Sequence, residues 1–442
     1  MNRTSSSPSR FSRRQFLAAA SLALAAPTII PASAFGRAPA ETAPSKRITV
    51  GVVGWGMQGP SNTDALLNIK DCQVVAACDL DKNHLQSAVD RINKQYGNQD
   101  CKAYSDYRQL MARTDIDAVM LAVPDNWHAL VATEAAKNKK DIYGEKPLAR
   151  TIAEQQAIVK AVQNNKRIWQ TGSWQRSQGP FRKAAEIVRN GVIGKLKRVE
   201  VGLPSGHNDF AGTGSKRSIT EPPPQLDYNT WIGPAKMQPY IEARVHMNWR
   251  WDYNIGGGQL LDWIGHHCDI AHWGMDCDNS GPSEIEGKGE FPPKDAVWNT
   301  ATKYRVTCKY PNDVEMIIAG GHGDIRSGTK WIGTDGWVWV DRGGYDATNL
   351  DWFVSLPADK NTVKLYRSDD HMRNFIDCVK SRKPTVTPVE TAHHSAIPGH
   401  LGLISMLVGR KIKWDVAKEM IIDDKEASKL LTRDYRAPWK MA

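Results

Sequence analysis

Three stretches of the chain hold residue types that could carry out chemistry on a bound small molecule. The richest runs from Gly256-Gly257-Gly258 through Asp262 and His266 to Asp269. If this segment is helical, Asp262 and His266 share one face, and a carboxylate one turn before an imidazole can fix its tautomer and raise its basicity. That is what a general base requires. The same spacing also suits a helix-surface ion pair or a core histidine. A metal centre from His266, His267 and His272 has less support, because adjacent helical positions point about 100° apart; no metal is expected.

The second stretch, Gly54-Trp55-Gly56-Met57-Gln58-Gly59, follows an apolar run and precedes a helical pattern, and Asp79 lies about twenty residues further on. In this pattern the first glycine permits a tight turn, the second lets the backbone approach a pyrophosphate, and the third lets helix and strand pack closely. The helix N-terminus adds free N–H groups for the phosphates. Asp79 would accept hydrogen bonds from the adenosine ribose and repel a 2′-phosphate, so NAD is expected rather than NADP. The third stretch comprises two strand ends. Pro124-Asp125-Asn126-Trp127-His128 and Glu145-Lys146-Pro147 each follow a strand-like run, where ligands bind in open parallel sheets. Pro124, Asn126, Trp127, His128, Glu145 and Lys146 are therefore cofactor-side candidates.

The elements that must hold these residues form an alternating series. Strand signals fall at 48–53, 72–78, 117–123, 141–143 and 167–171, with helical patterns at 82–95, 127–138 and 153–164. Strand–helix alternation predicts a parallel, doubly wound sheet. After Ser173 the pattern changes. A helix at 181–190 leads into a strand near 196–201, and 202–248 is rich in Gly and Pro and reads mostly as loop. Strand signals return at 298–308, 314–318 and 337–340, with helices near 259–272 and 371–381. This predicts an α/β chain in two parts: a dinucleotide-binding domain over 47–173, and an α+β domain over 174–442 with a large, mainly antiparallel open sheet.

The first residues read as an address. Arg13-Arg14 stand before an apolar run from Phe16 to Ala26, and Ala32-Ser33-Ala34 follows. This resembles a bacterial twin-arginine export signal over 1–34, followed by a flexible lead over 35–46. The apolar run is shorter than the roughly 20 residues of a membrane span, so stable membrane insertion is not expected. The cysteines Cys72, Cys78, Cys101, Cys268, Cys277, Cys308 and Cys378 are odd in number and widely spaced; free buried thiols are expected rather than a disulfide frame. The chain has 442 residues, with 58 Lys+Arg against 48 Asp+Glu. Part of that excess lies in the address segment, and no long basic run follows, so nucleic acid is not an expected partner. There are 16 Trp against 8 Phe, and Trp249, Trp251, Trp263 and Trp273 bracket the Asp262–His266 segment. Indoles suit the C–H face of a sugar ring, and equally suit a core.

The glycine loop, Glu145-Lys146-Pro147, and Gly-Gly-Gly followed by Asp262 and His266 together resemble the glucose–fructose oxidoreductase, inositol dehydrogenase and MocA (Gfo/Idh/MocA) family. The tail Thr432–Trp439 is similar to that of exported members. The resemblance implies a Rossmann domain and a C-terminal domain whose open sheet joins subunits into a dimer or tetramer. It puts Lys146, Asp262 and His266 at the catalytic positions. His266 would be the base, Asp262 its orienting partner, and Lys146 a hydrogen-bond donor to the reacting oxygen. Arg176 and Tyr253 are candidate contacts to substrate hydroxyls, beside Asp262 and His266. The implied activity is NAD-dependent hydride transfer at a hydroxyl or keto carbon of a carbohydrate or cyclic polyol. Folding before export would trap the dinucleotide inside the Rossmann domain, so NAD is expected to be held tightly. A redox-neutral, NAD-dependent glycosidase and a non-catalytic cofactor-binding sensor are the alternatives.

Overall fold

The computed structural model describes residues 46–360 and 362–441. Residues 1–45, which include the segment expected to be an export signal and most of the expected lead, lie outside the described residues. From Ile48 onward the chain builds two sheets. The first contains β1 (Ile48–Val53), β2 (Cys72–Cys78), β3 (Lys102–Tyr104), β4 (Ala118–Leu121), β5 (Asp141–Gly144) and β6 (Trp169–Thr171) in the order β3-β2-β1-β4-β5-β6. Every pairing in it is parallel. The crossover helices α1 (Gly59–Leu67), α2 (Lys82–Tyr96), α3 (His128–Lys137) and α4 (Ile152–Asn164) follow their strands as the sequence pattern requires. Their starts are chemically marked. Asp81 caps α2 by accepting from the Asn83 and His84 N–H groups, and Thr151 with Glu154 forms a capping box on α4. Strand order reverses between β1 and β4, so a crevice opens beyond the carboxyl ends of those strands.

Helix α5 (Gly179–Arg189) leads into β7 (Leu196–Leu203). The short helices α6 (Gly258–Trp263) and α7 (Asp269–Met275) come next, and then β8 (Glu284–Glu290), β9 (Lys303–Lys309), β10 (Glu315–Gly320), β11 (Gly328–Gly333), β12 (Trp337–Asp341) and β13 (Gly344–Ala347). Helices α8 (His371–Ser381) and α9 (Val389–Val408) precede the closing strands β14 (Ile412–Asp415) and β15 (Met420–Ile421). The nine-stranded sheet runs β13-β12-β11-β7-β10-β9-β8-β14-β15, and β7–β10 is its parallel pairing. Its core is built with α5, α7 and α9 around Phe181, Trp331, Val306 and Leu401.

Two features go beyond the sequence reading. Helix α8, expected with the second domain, packs Met372, Phe375, Ile376 and Val379 into the core over β1 and β2, and so covers one face of the parallel sheet. Helix α9 had no sequence signal. It is buried along most of its length and contains Pro398, so it lacks the one-sided apolar period by which surface helices are read. All seven cysteines are buried free thiols. Among the described residues, no helix is long and apolar enough to cross a membrane.

Candidate active site

The crevice at the strand ends is a cavity of ≈ 910 Å³ that reaches from the glycine loop to the Asp262–His266 segment. Each glycine of the loop has a separate cause. Gly54 has φ +94°, and a Cβ there would lie 2.3 Å from the Ala122 carbonyl oxygen; only glycine fits. A Cβ on Gly59 would lie 2.1 Å from the Gly54 oxygen, whereas one on Gly56 would meet nothing within 4 Å. The open side of the loop is therefore at Gly56, in front of the N-terminus of α1, as a pyrophosphate cradle requires. Asp79 accepts from the Trp55 N–H at 2.7 Å and the Asp81 N–H at 2.9 Å, which ties the end of β2 to the loop. Burial raises its carboxyl above the ordinary range, against those bonds and the His84 imidazole. Gly54, Trp55, Gly56, Met57, Gln58, Asp79, Pro124, Trp127, Glu145 and Lys146 line the cavity. These residues fit a dinucleotide; the loop would hold its phosphates, and Asp79 would face its ribose. At the same end, Asp81, His84 and His246 each bring one ligand-type atom within 4.8 Å of the others, a grouping the sequence reading did not make.

At the other end, Lys146 follows β5 and crosses the Gly256–Asp269 segment. Its Nζ donates to the Asp262 carbonyl oxygen at 2.6 Å and to Asp262 Oδ1 at 2.9 Å. Arg250 Nε donates to the same Oδ1 at 3.0 Å. Burial works against ionising Asp262, but Lys146 and Arg250 outweigh it and hold the carboxyl far below its usual range. Gly265 makes the crossing possible, since a Cβ there would stand 2.7 Å from Lys146 Cβ, and Ser173 Oγ anchors its carbonyl at 2.6 Å. Glu145, also buried, accepts from Asn62 Nδ2 at 2.8 Å, and burial raises its carboxyl.

The expected Asp262–His266 hydrogen bond is not formed. Residues Ile264–Cys268 take a π-helical turn, which moves His266 off the column of Asp262, and the carboxylate is taken by the two cations. The His266 ring is buried, edge-on to Trp263 at 5.3 Å and Trp174 at 6.4 Å between centroids. Its Nδ1 has no hydrogen-bond partner. Burial, helped by the charges of Lys146 and Arg342, holds its pKa well below the ordinary value, so the ring is a neutral base. Of the other two histidines weighed as ligands, His267 lies 3.3 Å from Asp341 and His272 binds the Tyr310 hydroxyl at 2.7 Å.

Four of the expected contacts fall elsewhere. Asn126 is buried and donates to the Ile232 carbonyl at 2.8 Å. His128 sits between the Pro147 and Val123 carbonyls, at 2.7 and 2.9 Å, and ties the β4 loop to the β5 loop. Arg176 is 2% exposed and pairs with Asp269 at 2.7 Å and Asp278 at 2.7 Å. Tyr253 lies under the Arg150 guanidinium, 4.3 Å from it. None of these four lines the cavity. Their residue types suit a ligand, but the Asn126 amide nitrogen, the His128 ring and the Arg176 guanidinium are spent on the frame, and the Tyr253 ring is covered by Arg150. Of the bracketing tryptophans, Trp249 and Trp263 line the cavity, while Trp251 and Trp273 belong to the core.

The cavity also contains residues that the sequence reading did not select. Asp125 is 2% exposed, and its Oδ1 has no partner. Burial and the charge of Asp262 push its carboxyl up to about 7, against Arg250, Lys146 and Arg150. Its signal was its place between Pro124 and Asn126. Arg250 and Arg342 also line the cavity, and no local pattern marks them.

A glycine cradle at a parallel-sheet switch point, joined in one cavity to a lysine–aspartate–histidine group, defines a dinucleotide-dependent oxidoreductase. Residues 48–173 match the oxidoreductase family's NAD-binding Rossmann fold, and residues 178–441 its C-terminal alpha/beta domain. The chain belongs to the Gfo/Idh/MocA family of NAD-binding oxidoreductases. The inositol 2-dehydrogenase/D-chiro-inositol 3-dehydrogenase of Lacticaseibacillus casei is 32% identical over 385 residues, 83% of this chain and 93% of that one. The inositol 2-dehydrogenase of Salmonella paratyphi B is 33% identical over 150 residues, 34% of this chain, so the chain spans about 43% of that relative's length. In fold, the myo-inositol 2-dehydrogenase of Lactobacillus plantarum superposes with a TM-score of 0.59 at 19% identity, covering 83% of this chain and 99% of that one.

Proposed function

We propose that the protein is an oxidoreductase of carbohydrates or cyclic polyols that prefers NAD to NADP and keeps the dinucleotide bound through the reaction. The observation that carries this reading is the neutral His266, its Nδ1 unpartnered, in one cavity with Lys146 and the Gly56 cradle. His266 takes the proton of the substrate hydroxyl. Lys146 spends two donors on Asp262, which leaves its third N–H for the reacting oxygen. Asp262 is thus the anchor of Lys146 rather than the partner of His266. Bound NAD supplies the hydride acceptor. In reverse the same groups protonate and polarise a ketone.

Retention is supported by what covers the dinucleotide end. Residues of the 202–248 segment bridge to the Rossmann half through Leu226 and Asp81, and Leu226, Trp231 and His246 line the cavity. The tail adds a second clamp, with Arg433 donating to the Asn126 carbonyl at 2.9 Å and Trp439 edge-on to Trp127 at 4.8 Å. Asp125 favours a second reading, the redox-neutral glycosidase, because a group titrating near neutrality can move the extra protons of elimination and hydration. We also read the chain as exported by its twin-arginine segment and assembled as a homo-oligomer through the open sheet.

Protein purified from an export-competent host is denatured and its nucleotide identified by mass spectrometry. Products of a sugar, polyol and glycoside panel are followed with no cofactor added. NAD(H) in near-stoichiometric amount, with turnover lost in Lys146→Ala and His266→Ala, is expected. Nucleotide-free protein, a content dominated by NADP(H), or a His266→Ala variant of full activity would refute the reading.

A further inference from the structure

The substrate end of the cavity carries a cation with no acid of its own. Lys146 and Arg250 share Asp262. Arg342 comes from the turn between β12 and β13 and rests against two indoles, its guanidinium carbon 4.5 Å from the Trp174 centroid and 4.5 Å from that of Trp263. Those are the same rings that pack edge-on to His266, so Arg342 stands beside the base. The adjacent carboxylate, Asp341, faces away. It lies 3.3 Å from His267 Nε2, accepts from Ser327 Oγ at 2.7 Å, and accepts from the Arg342 backbone N–H at 2.7 Å. Among the described residues, no carboxylate or carbonyl accepts from the guanidinium itself.

Stacking on indoles uses the faces of a guanidinium and leaves its in-plane N–H groups unspent. A planar fork with two parallel donors matches the paired oxygens of a carboxylate or of a phosphate. A phosphate dianion calls for more donors than a single free edge supplies. The side chain is open to solvent on its other side, and the two indoles fix its long stem, so less freedom is lost when a ligand arrives. A neutral sugar offers hydroxyls only and leaves the cation unmatched.

We propose that Arg342 is a specificity residue for an acidic carbohydrate, binding a substrate carboxylate through paired N–H···O bonds while the carbon to be oxidised lies against His266 and Lys146. The placement of the oxidised carbon rests on the oxidoreductase reading; the carboxylate contact does not. A bidentate bond to a charged partner is worth on the order of 10- to 100-fold in affinity.

The test uses NAD-loaded protein and matched ligands at equal ionic strength: methyl β-D-glucuronide against methyl β-D-glucoside, D-galacturonate against D-galactose, and D-glucose 6-phosphate. Binding is measured by calorimetry for the wild type, Arg342→Met and Arg342→Lys. Methionine keeps an unbranched stem against Trp174 and Trp263, and bound nucleotide and melting temperature check the fold. The acid of at least one pair should bind on the order of 10- to 100-fold more tightly than its neutral partner. Arg342→Met should abolish that preference, and Arg342→Lys should keep part of it. No acid bound, neutral partners bound equally well, the phosphate preferred over the carboxylates, or a preference that survives Arg342→Met would each overturn the assignment. Absorbance of the bound nucleotide at 340 nm separates the two readings. Reduction by neutral sugars without any acid preference refutes the role of Arg342 and leaves the oxidoreductase standing. Arg342-dependent acid binding with no nucleotide change on any ligand does the opposite.

Discussion

Asp125 gives the cavity a pH dependence that can be measured without knowing the substrate. The carboxyl rises from an ordinary 3.8 to about 7, first through burial and then through the charge of Asp262. Below 3.8 the group is protonated in both the folded and the unfolded chain, and it contributes nothing to the difference. Between 3.8 and 7 the unfolded chain releases the proton while the folded one keeps it, so folding loses stability as pH rises. Each pH unit of that interval costs about 1.4 kcal/mol, and the whole interval about 4 kcal/mol. Above about 7 the penalty is constant. The groups facing Asp125 are Arg250, Lys146, Arg150 and Asp262.

Asp125→Asn keeps the shape and removes the charge. A chain of this size unfolds with an entropy of roughly 0.8 kcal/mol per degree. The variant should therefore melt within about 1 °C of the wild type at the acid end of the range. It should then gain steadily to roughly 5 °C above it by pH 8. Differential scanning fluorimetry from pH 4.5 to 9, on preparations matched for nucleotide content, reads this directly. An offset that does not change with pH, or a wild type that gains on the variant as pH rises, would refute the reasoning. The latter would mean that Asp125 is ionised and held by its three cations.

Arg176→Met should lower the melting temperature by the equivalent of about 3–5 kcal/mol, because it strands the buried Asp269, while nucleotide content stays at the wild-type level. A loss of nucleotide with no loss of stability would return Arg176 to the cavity. Gly265→Ala puts a methyl 2.7 Å from Lys146 Cβ; a displacement of about 1 Å should cost roughly 100-fold in kcat/KM, and unchanged kinetics would show that Lys146 tolerates the shift. Gly54→Ala should fail on stability, read by thermal melting, because its turn has φ +94°. Gly56→Val should instead keep the fold and lose nucleotide, read by mass spectrometry of the bound cofactor. The reverse pattern would contradict the roles assigned to the two positions.

The legible parts of this protein are those fixed by near neighbours. The glycine loop follows from one strand and one helix, and each of its glycines answers to an atom of that unit or to the ligand. Asp79 at the end of β2 and the crossover helices are local in the same sense. Strand β11 and helix α9 were not legible, because each is buried by partners far along the chain and so carries neither a clean alternation nor a one-sided face. In α9, Gly399 and Gly402 let Ile264 and Val306 approach so closely that a Cβ would meet them at 2.8 and 2.6 Å. Two glycines and a proline in a row of apolar residues read as the opposite of a helix.

The candidate site depends on the same distinction. Residue type marks Lys146, Asp262 and His266, and the cavity brings them together, but ideal helical spacing predicts an Asp262–His266 pair that the fold does not make. A single π turn after Asp262 breaks that spacing, and no residue type announces it. What decides the outcome is a competition for one carboxylate. Lys146 comes from 116 residues away and Arg250 from the preceding 3-10 turn, His246–Trp251, and both are cations, whereas burial keeps His266 neutral. A bond from a cation to a carboxylate outweighs one from a neutral imidazole, so Asp262 goes to Lys146 and Arg250. His266 is left with an unpartnered nitrogen, and in the proposed reaction that nitrogen meets the substrate hydroxyl. Asp262 therefore acts on the base by declining to bind it. Asp262→Asn should accordingly leave the His266 ring where it is, and a crystal structure of the variant should show Lys146 Nζ displaced instead. An imidazole that rotates while Lys146 stays in place would restore the simpler aspartate–histidine pair.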